Sequence, residues 1–161
     1  KDLHFVGIRG NVDSRLKKLK RGDFDLLILA RAGLVRLGLE KMICQVFSPH
    51  QIVPAPGQGV IGVEIRKDDE KIRSQLAQIN DPIQNYLSDL ERAFLRSMKV
   101  GCHSPVGVYA VMQNNQPGVY VFLADKTGKN YFKDFFLFPK KEAVSLGKEL
   151  GENIKKTLEK N

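Results

Sequence analysis

Two groups of side chains in this sequence have the types and spacing to do chemistry. The first is a set of arginines. Arg9 and Arg15 bracket Gly10-Asn11-Val12-Asp13-Ser14, and Arg31 and Arg36 bracket Ala32-Gly33-Leu34-Val35. An arginine fork grips a carboxylate or phosphate through two parallel N–H bonds, a geometry lysine lacks. A glycine alongside lets backbone come close, and a helix start beyond it adds unpaired N–H groups and positive partial charge. Arg9, Arg15 and Arg36 are therefore candidates for an anion cradle. The alternative is ordinary surface charge, and Arg31 also reads as a side chain that snorkels to solvent. The second group is the loop Val100-Gly101-Cys102-His103-Ser104-Pro105-Val106-Gly107. On residue chemistry alone Cys102 is open to four readings: spare thiol, metal ligand, nucleophile or attachment point. The three histidines and two cysteines show no known ligand spacing for a metal. Cys102 and His103 are adjacent, and neighbours in sequence rarely face each other as a dyad. Cys44, inside the apolar run 42–47, reads as a small buried hydrophobe.

These residues must be held by regular elements. Residues 3–8 and 24–30 read as strands, the second nearly all apolar and so expected to be buried on both faces of a parallel sheet. Helices are expected over about 12–20, capped by Asn11 or Asp13, and 31–37. Strand, helix, strand, helix in forty residues is a βαβ pattern, and ligands in such sheets sit beyond the carboxyl ends of the strands. A short strand is expected at 44–47. Pro54-Ala55-Pro56-Gly57-Gln58-Gly59 then reads as a hinge between domains or as a surface loop, and a further strand is expected at 60–65. Helices are expected over about 69–79 and from Pro82, with Asp81 as cap. The second helix carries the stripe Ile83, Tyr86, Leu87, Leu90, Phe94, Leu95, Met98. Past the Cys102 loop the texture changes to three strand-like runs, 106–112, 119–124 and 131–138. A helix over about 140–158 follows, to cover a small antiparallel sheet. The expected fold class is α/β plus α+β. A boundary near 99–101 puts Cys102 at a domain junction, where ligand sites are favoured.

The totals narrow the function classes. The chain has 161 residues, with 42% hydrophobic and 27% charged, the composition of a soluble globular protein. No apolar run approaches the ~20 residues of a membrane-spanning helix. Two cysteines do not make a disulfide framework, so a reducing, cytoplasmic setting is the expectation. The formal charge is +8, which suits an anionic partner. Lys17, Lys18, Lys20 and Arg21 form the densest run, as a solvated helix end would. The first residue is Lys rather than Met and a strand-like stretch follows almost at once, so the chain is expected to be a fragment.

Five segments carry a resemblance: IRGNVDSRLKKL (8–19), DLLILARAGLVRLGL (25–39), VPAPGQGVIGVEIRKDD (53–69), LERAFLRSM (90–98) and GCHSPVGVYA (101–110). In this order they resemble porphobilinogen deaminase, or hydroxymethylbilane synthase, of tetrapyrrole biosynthesis. The last third fits by shape more than by motif. The resemblance implies that Cys102 carries a dipyrromethane cofactor through a thioether. It also implies that Arg9, Arg15 and Arg36 bind the acetate and propionate groups of the cofactor and the growing chain, to which four porphobilinogen units are added. It implies a periplasmic-binding-protein-like second domain, of which residues 1–58 would be the later part. Residues 59–98 would return to the first domain, and 99–161 would form the third.

Two residues depart from the family pattern: Val100 stands where the loop usually has a glycine, and Arg31 stands where a small residue is common. The family's N-terminal part, with its catalytic aspartate and its GTSS-x-RR motif, has no counterpart here. No catalytic residue is therefore expected in this portion, and the chain alone is expected to be inactive. The implied partners are porphobilinogen, its polypyrrole intermediates and the missing N-terminal portion. No metal, nucleic acid or membrane is expected as a partner. The family is usually monomeric, but an unfinished sheet edge makes self-association of this portion an expectation. Two other classes compete: a non-catalytic anion-binding module, and a basic nucleic-acid-binding domain. The second lacks a recognition motif and has no Trp.

Overall fold

The longest helix shows how the chain builds its core. Asp81 accepts hydrogen bonds from the backbone N–H groups of Ile83 (2.9 Å) and Gln84 (3.0 Å). Pro82 occupies the first turn, where its missing N–H costs nothing. In the computed structural model, which describes residues 3–99, 105–125 and 127–158, this helix runs Pro82–Met98 and stops at Lys99 in the left-handed conformation. Of its expected stripe, Leu87, Leu90 and Phe94 are buried, Tyr86, Leu95 and Met98 are half-buried, and Ile83 is exposed. We number the helices α1 Val12–Lys20, α2 Arg31–Arg36, α3 Glu70–Ala77, α4 Pro82–Met98 and α5 Ala143–Leu158, with a 3-10 turn at Glu40–Met42. The strands are β1 Val106–Gln113, β2 Gln116–Ala124 and β3 Tyr131–Leu137, in the antiparallel order β1-β2-β3.

The chain divides into two compact units, one up to Val46 and one from Phe47 onward. In the second unit Val108 faces Val121, Ala110 faces Val119 and Val119 faces Phe136 across the sheet. One sheet face lays Val108, Ala110, Val119, Val121 and Leu123 against α4 and against Ala143, Leu146, Leu150 and Ile154 of α5. The β1–β2 hairpin is tighter than the turn expected over 114–118. Asn114 and Asn115 both take positive φ (47° and 61°), the two-residue turn whose twist matches paired strands. Glu142 caps α5 by accepting the N–H groups of Val144 (3.0 Å) and Ser145 (2.6 Å). The helix seats closely on α4 because Gly147 and Gly151 present no side chain to it. A Cβ at Gly147 would stand 2.8 Å from Phe94 N.

The first unit departs from the expected βαβ pattern. α1 and α2 form, and Lys17, Lys18 and Lys20 fall in the last turn of α1, where the helix dipole favours cations. But residues 3–9 and 24–30 run outside any strand, and so do 44–47 and 60–65 of the remaining expected strands. The expected burial of the 24–30 run is also wrong: Leu26 is 71% and Ile28 67% exposed. A parallel strand exists only through neighbours on its edges, and among the described residues these segments have none. Cys44, expected to be buried, is exposed for the same reason. In this unit only Leu16 and Leu34 are buried hydrophobes among the described residues.

Candidate functional site

Gly10 turns the chain from the extended segment into α1 with φ +116°, a conformation that L side chains rarely adopt. A Cβ there would meet Ser14 Cβ at 3.2 Å. The turn exposes the carbonyl of Gly10, and Arg15 Nε donates to it at 2.6 Å. That bond ties the base of the guanidinium and leaves its terminal nitrogens for another acceptor. Asn11 begins the helix without a side-chain cap to the backbone. Its Oδ1 instead accepts the Ser14 hydroxyl at 2.8 Å.

Arg9 is exposed at the end of the extended segment, Arg15 is half-buried one turn into α1, and Arg36 is exposed at the end of α2. A Cβ at Gly33 would lie 3.6 Å from Val12 Cγ2, so the first turn of α1 and the middle of α2 are near neighbours. Among the described residues none of Arg9, Arg15, Arg31 and Arg36 has a carboxylate partner within 4.0 Å; the ion pairs are Arg21–Asp23, Arg73–Glu70, Arg92–Asp89 and Lys141–Glu149. Among the described residues no hydrogen bond links Arg9, Arg15 and Arg36 to one another. Cys102 lies outside the described residues, as do Val100 and His103.

Sequence reasoning missed Glu91. It is 4% exposed. One carboxylate oxygen accepts the N–H of Gly57 at 2.7 Å and the other the N–H of Ala110 at 2.8 Å. Burial pushes its carboxyl above the usual range, while the N–H groups of Ala110 and Gly57 and the charge of Arg92 pull it back. A signal was present: Glu91 falls at the i+4 position of Leu87 and the i−3 position of Phe94, on the apolar face of α4. An acid placed there must find partners inside.

The comparisons with known proteins divide the chain in two. Residues 1–74 match the family model described as porphobilinogen deaminase, dipyromethane cofactor binding domain. Residues 86–156 match that of the porphobilinogen deaminase C-terminal domain. A cofactor-binding segment followed by a C-terminal domain is the class of protein these matches define. Relatives carry the same description along the alignment. A porphobilinogen deaminase of Roseiflexus castenholzii is 41% identical over 80% of this chain and 42% of its own length. Those of Prochlorococcus marinus and Clostridium kluyveri are 38% and 36% identical over 95% of this chain, and 48% and 52% of their own length. The chain belongs to the porphobilinogen deaminase family, and it spans about half the length of the curated relatives it matches.

Proposed function

We propose that this chain supplies the carboxylate-binding arginines and the cofactor-bearing cysteine of a hydroxymethylbilane synthase. The observation that carries the reading is the tandem match, with Arg9, Arg15 and Arg36 all inside the segment matched as cofactor-binding. Guanidiniums without a carboxylate partner among the described residues fit a ligand that brings its own carboxylates. The Arg15–Gly10 bond supports this by pre-orienting one fork, which reduces the ordering needed on binding. Each good contact of this kind contributes about 1.5–3 kcal/mol.

Cys102 is the attachment point in this reading. Its sulfur forms a bond to the aminomethyl carbon of the pyrrole precursor; the amino group leaves as ammonia with the thiol proton. When bound, the dipyrromethane supplies the nucleophilic pyrrole that starts chain growth. Arg9, Arg15 and Arg36 hold acetate and propionate groups and offset their charge. The extended segments 3–9 and 24–30 are strands of a periplasmic-binding-protein-like second domain in the whole enzyme, and 60–65 is a strand returned to the first domain; the family's N-terminal portion completes both sheets. That portion also supplies the acid–base aspartate, so this chain has no turnover by itself. The setting is cytoplasmic. Residues 1–58, 59–98 and 99–161 are contributions to the second, first and third domains.

The test is the intact mass of the chain after incubation with porphobilinogen and the N-terminal portion of a relative. A dipyrromethane increment that disappears in Cys102→Ser is expected. An increment that persists in that variant, or one absent from both proteins, rejects the assignment.

A further inference from the structure

We propose that Glu91 is a positioning residue whose buried carboxylate latches the Pro54–Gly59 crossover to α4 and to the outer edge of β1. The two acceptor bonds reach donors far apart in sequence, 34 residues back to Gly57 and 19 forward to Ala110. A carboxylate removed from water needs hydrogen bonds to offset its desolvation, and here both oxygens are used on backbone from different segments. Among the described residues no buried side-chain polar atom is left without a partner.

The edge geometry explains why a carboxylate suits the place. β2 covers one edge of β1. On the other edge the N–H of Val108 donates to Pro54 O at 2.9 Å, and the next outward N–H, that of Ala110, donates to Glu91. The crossover and Glu91 thus take the place of a neighbouring strand and blunt an edge that would otherwise be open to pairing. The crossover itself is stiff. Gln58 N–H bonds Ala55 O at 3.0 Å, Val60 N–H bonds Gly57 O at 3.1 Å, and Gln58 Oε1 accepts Ala55 N–H at 3.1 Å. Gly57 and Gly59 take φ of +70° and +86°. A segment so braced can be placed as a body by two pins, one at Pro54 and one at Gly57. Val53 adds a contact, because a Cβ on Gly107 would stand 3.0 Å from its Cβ.

The consequence rests on the deaminase reading: the crossover follows the segment bearing the arginines, and α4 and β1 are the elements on either side of Cys102 in sequence. Glu91 then holds the crossover against α4 and β1, the two elements that flank Cys102 in sequence. The latch itself stands on geometry and is tested without turnover.

Amide hydrogen exchange by NMR on the 161-residue chain is the experiment, comparing the wild type with Glu91→Gln. The glutamine keeps the shape, but its NH2 group opposes one of the two N–H donors and its uncharged amide oxygen is a weaker acceptor for the other. Exchange at Gly57 and Ala110 is expected to rise at least ~10-fold, several times more than at Val119 and Val121 in β2, whose exchange follows only the loss of global stability. If all four amides accelerate together, Glu91 contributes only general stability and the proposal is overturned. No change at Gly57 overturns it as well. Should Glu91→Gln not fold, the same comparison in Glu91→Asp decides, with the shorter acid expected to free Gly57 and Ala110 selectively. A failure of porphobilinogen-derived mass to appear on Cys102 bears on the deaminase reading and leaves this result standing.

Discussion

Folding acts on two carboxylates, Glu91 and Asp125, with opposite sign. Burial raises the Glu91 carboxyl above its ordinary 4.5. The folded state therefore holds that proton more tightly than the unfolded chain. Stability tied to this group is full below 4.5 and falls as pH climbs through the raised value. Asp125 is the reverse. The hydroxyl of Thr127, with further bonds from Asn130 and the Thr127 N–H, holds it at about 2, against an ordinary 3.8. Its contribution is present above 3.8 and is lost as pH falls through about 2. Urea melts across this range separate the two. The stability deficit of Asp125→Asn is expected to be largest above 3.8 and to shrink toward about 2. The deficit of Glu91→Gln is expected to shrink as pH rises past 4.5. Deficits that move in the same direction with pH would contradict these assignments.

At the scale of elements, the α4–α5 contact sets two competing magnitudes against each other. Alanine is a better helix former than glycine by about 1 kcal/mol, but overpacking typically costs about 1–3 kcal/mol. At Gly147 the obstacle is backbone, Leu90 O and Phe94 N, together with Ala93 Cβ, and backbone cannot turn aside. At Gly151 the nearest atom is Ser97 Oγ, which could rotate away at the loss of its 2.7 Å bond to Phe94 O. With the helix-propensity gain deducted, Gly147→Ala is therefore expected to lower stability by up to about 2 kcal/mol, and Gly151→Ala by less, in thermal or urea melts of the two variants. The same elements show what was legible in the sequence. Asp81-Pro82 and the Leu87–Leu90–Phe94 stripe located α4, and the strand-like runs between turn residues located β1, β2 and β3, because caps, turns and periodicity are local. The run 24–30 misled because apolar content says that a segment seeks cover, not what supplies it. Glu91 was missed because its partners, Gly57 and Ala110, meet it only through the tertiary fold. The arginines were found as candidates from residue type and motif, while their common ligand came only through the family resemblance.

Taken as a whole, the chain has one full core and one sparse one. The second unit buries Leu90, Phe94, Leu146 and their neighbours almost completely, whereas the first leaves Phe5 82% exposed along with Leu3, Val6, Leu26 and Ile28. Full burial of a side chain of this kind is favourable by about 1.5–3 kcal/mol, so several of them covered together outweigh the loss of freedom on association only when the cover fits. Extended, unpaired backbone carrying such side chains offers its N–H and C=O groups to another strand. The net charge of +8 opposes contact between copies, and salt screens that repulsion. The isolated chain is therefore expected to self-associate in sedimentation velocity at tens of micromolar, more strongly as salt is raised. The double variant Phe5→Lys, Ile28→Lys should restore the monomer by placing charge on the exposed runs. Adding the N-terminal portion of a relative should also suppress association, because in the proposed enzyme it covers the same strands. A wild-type chain that stays monomeric at every concentration and salt would mean that these runs find their cover within the chain itself.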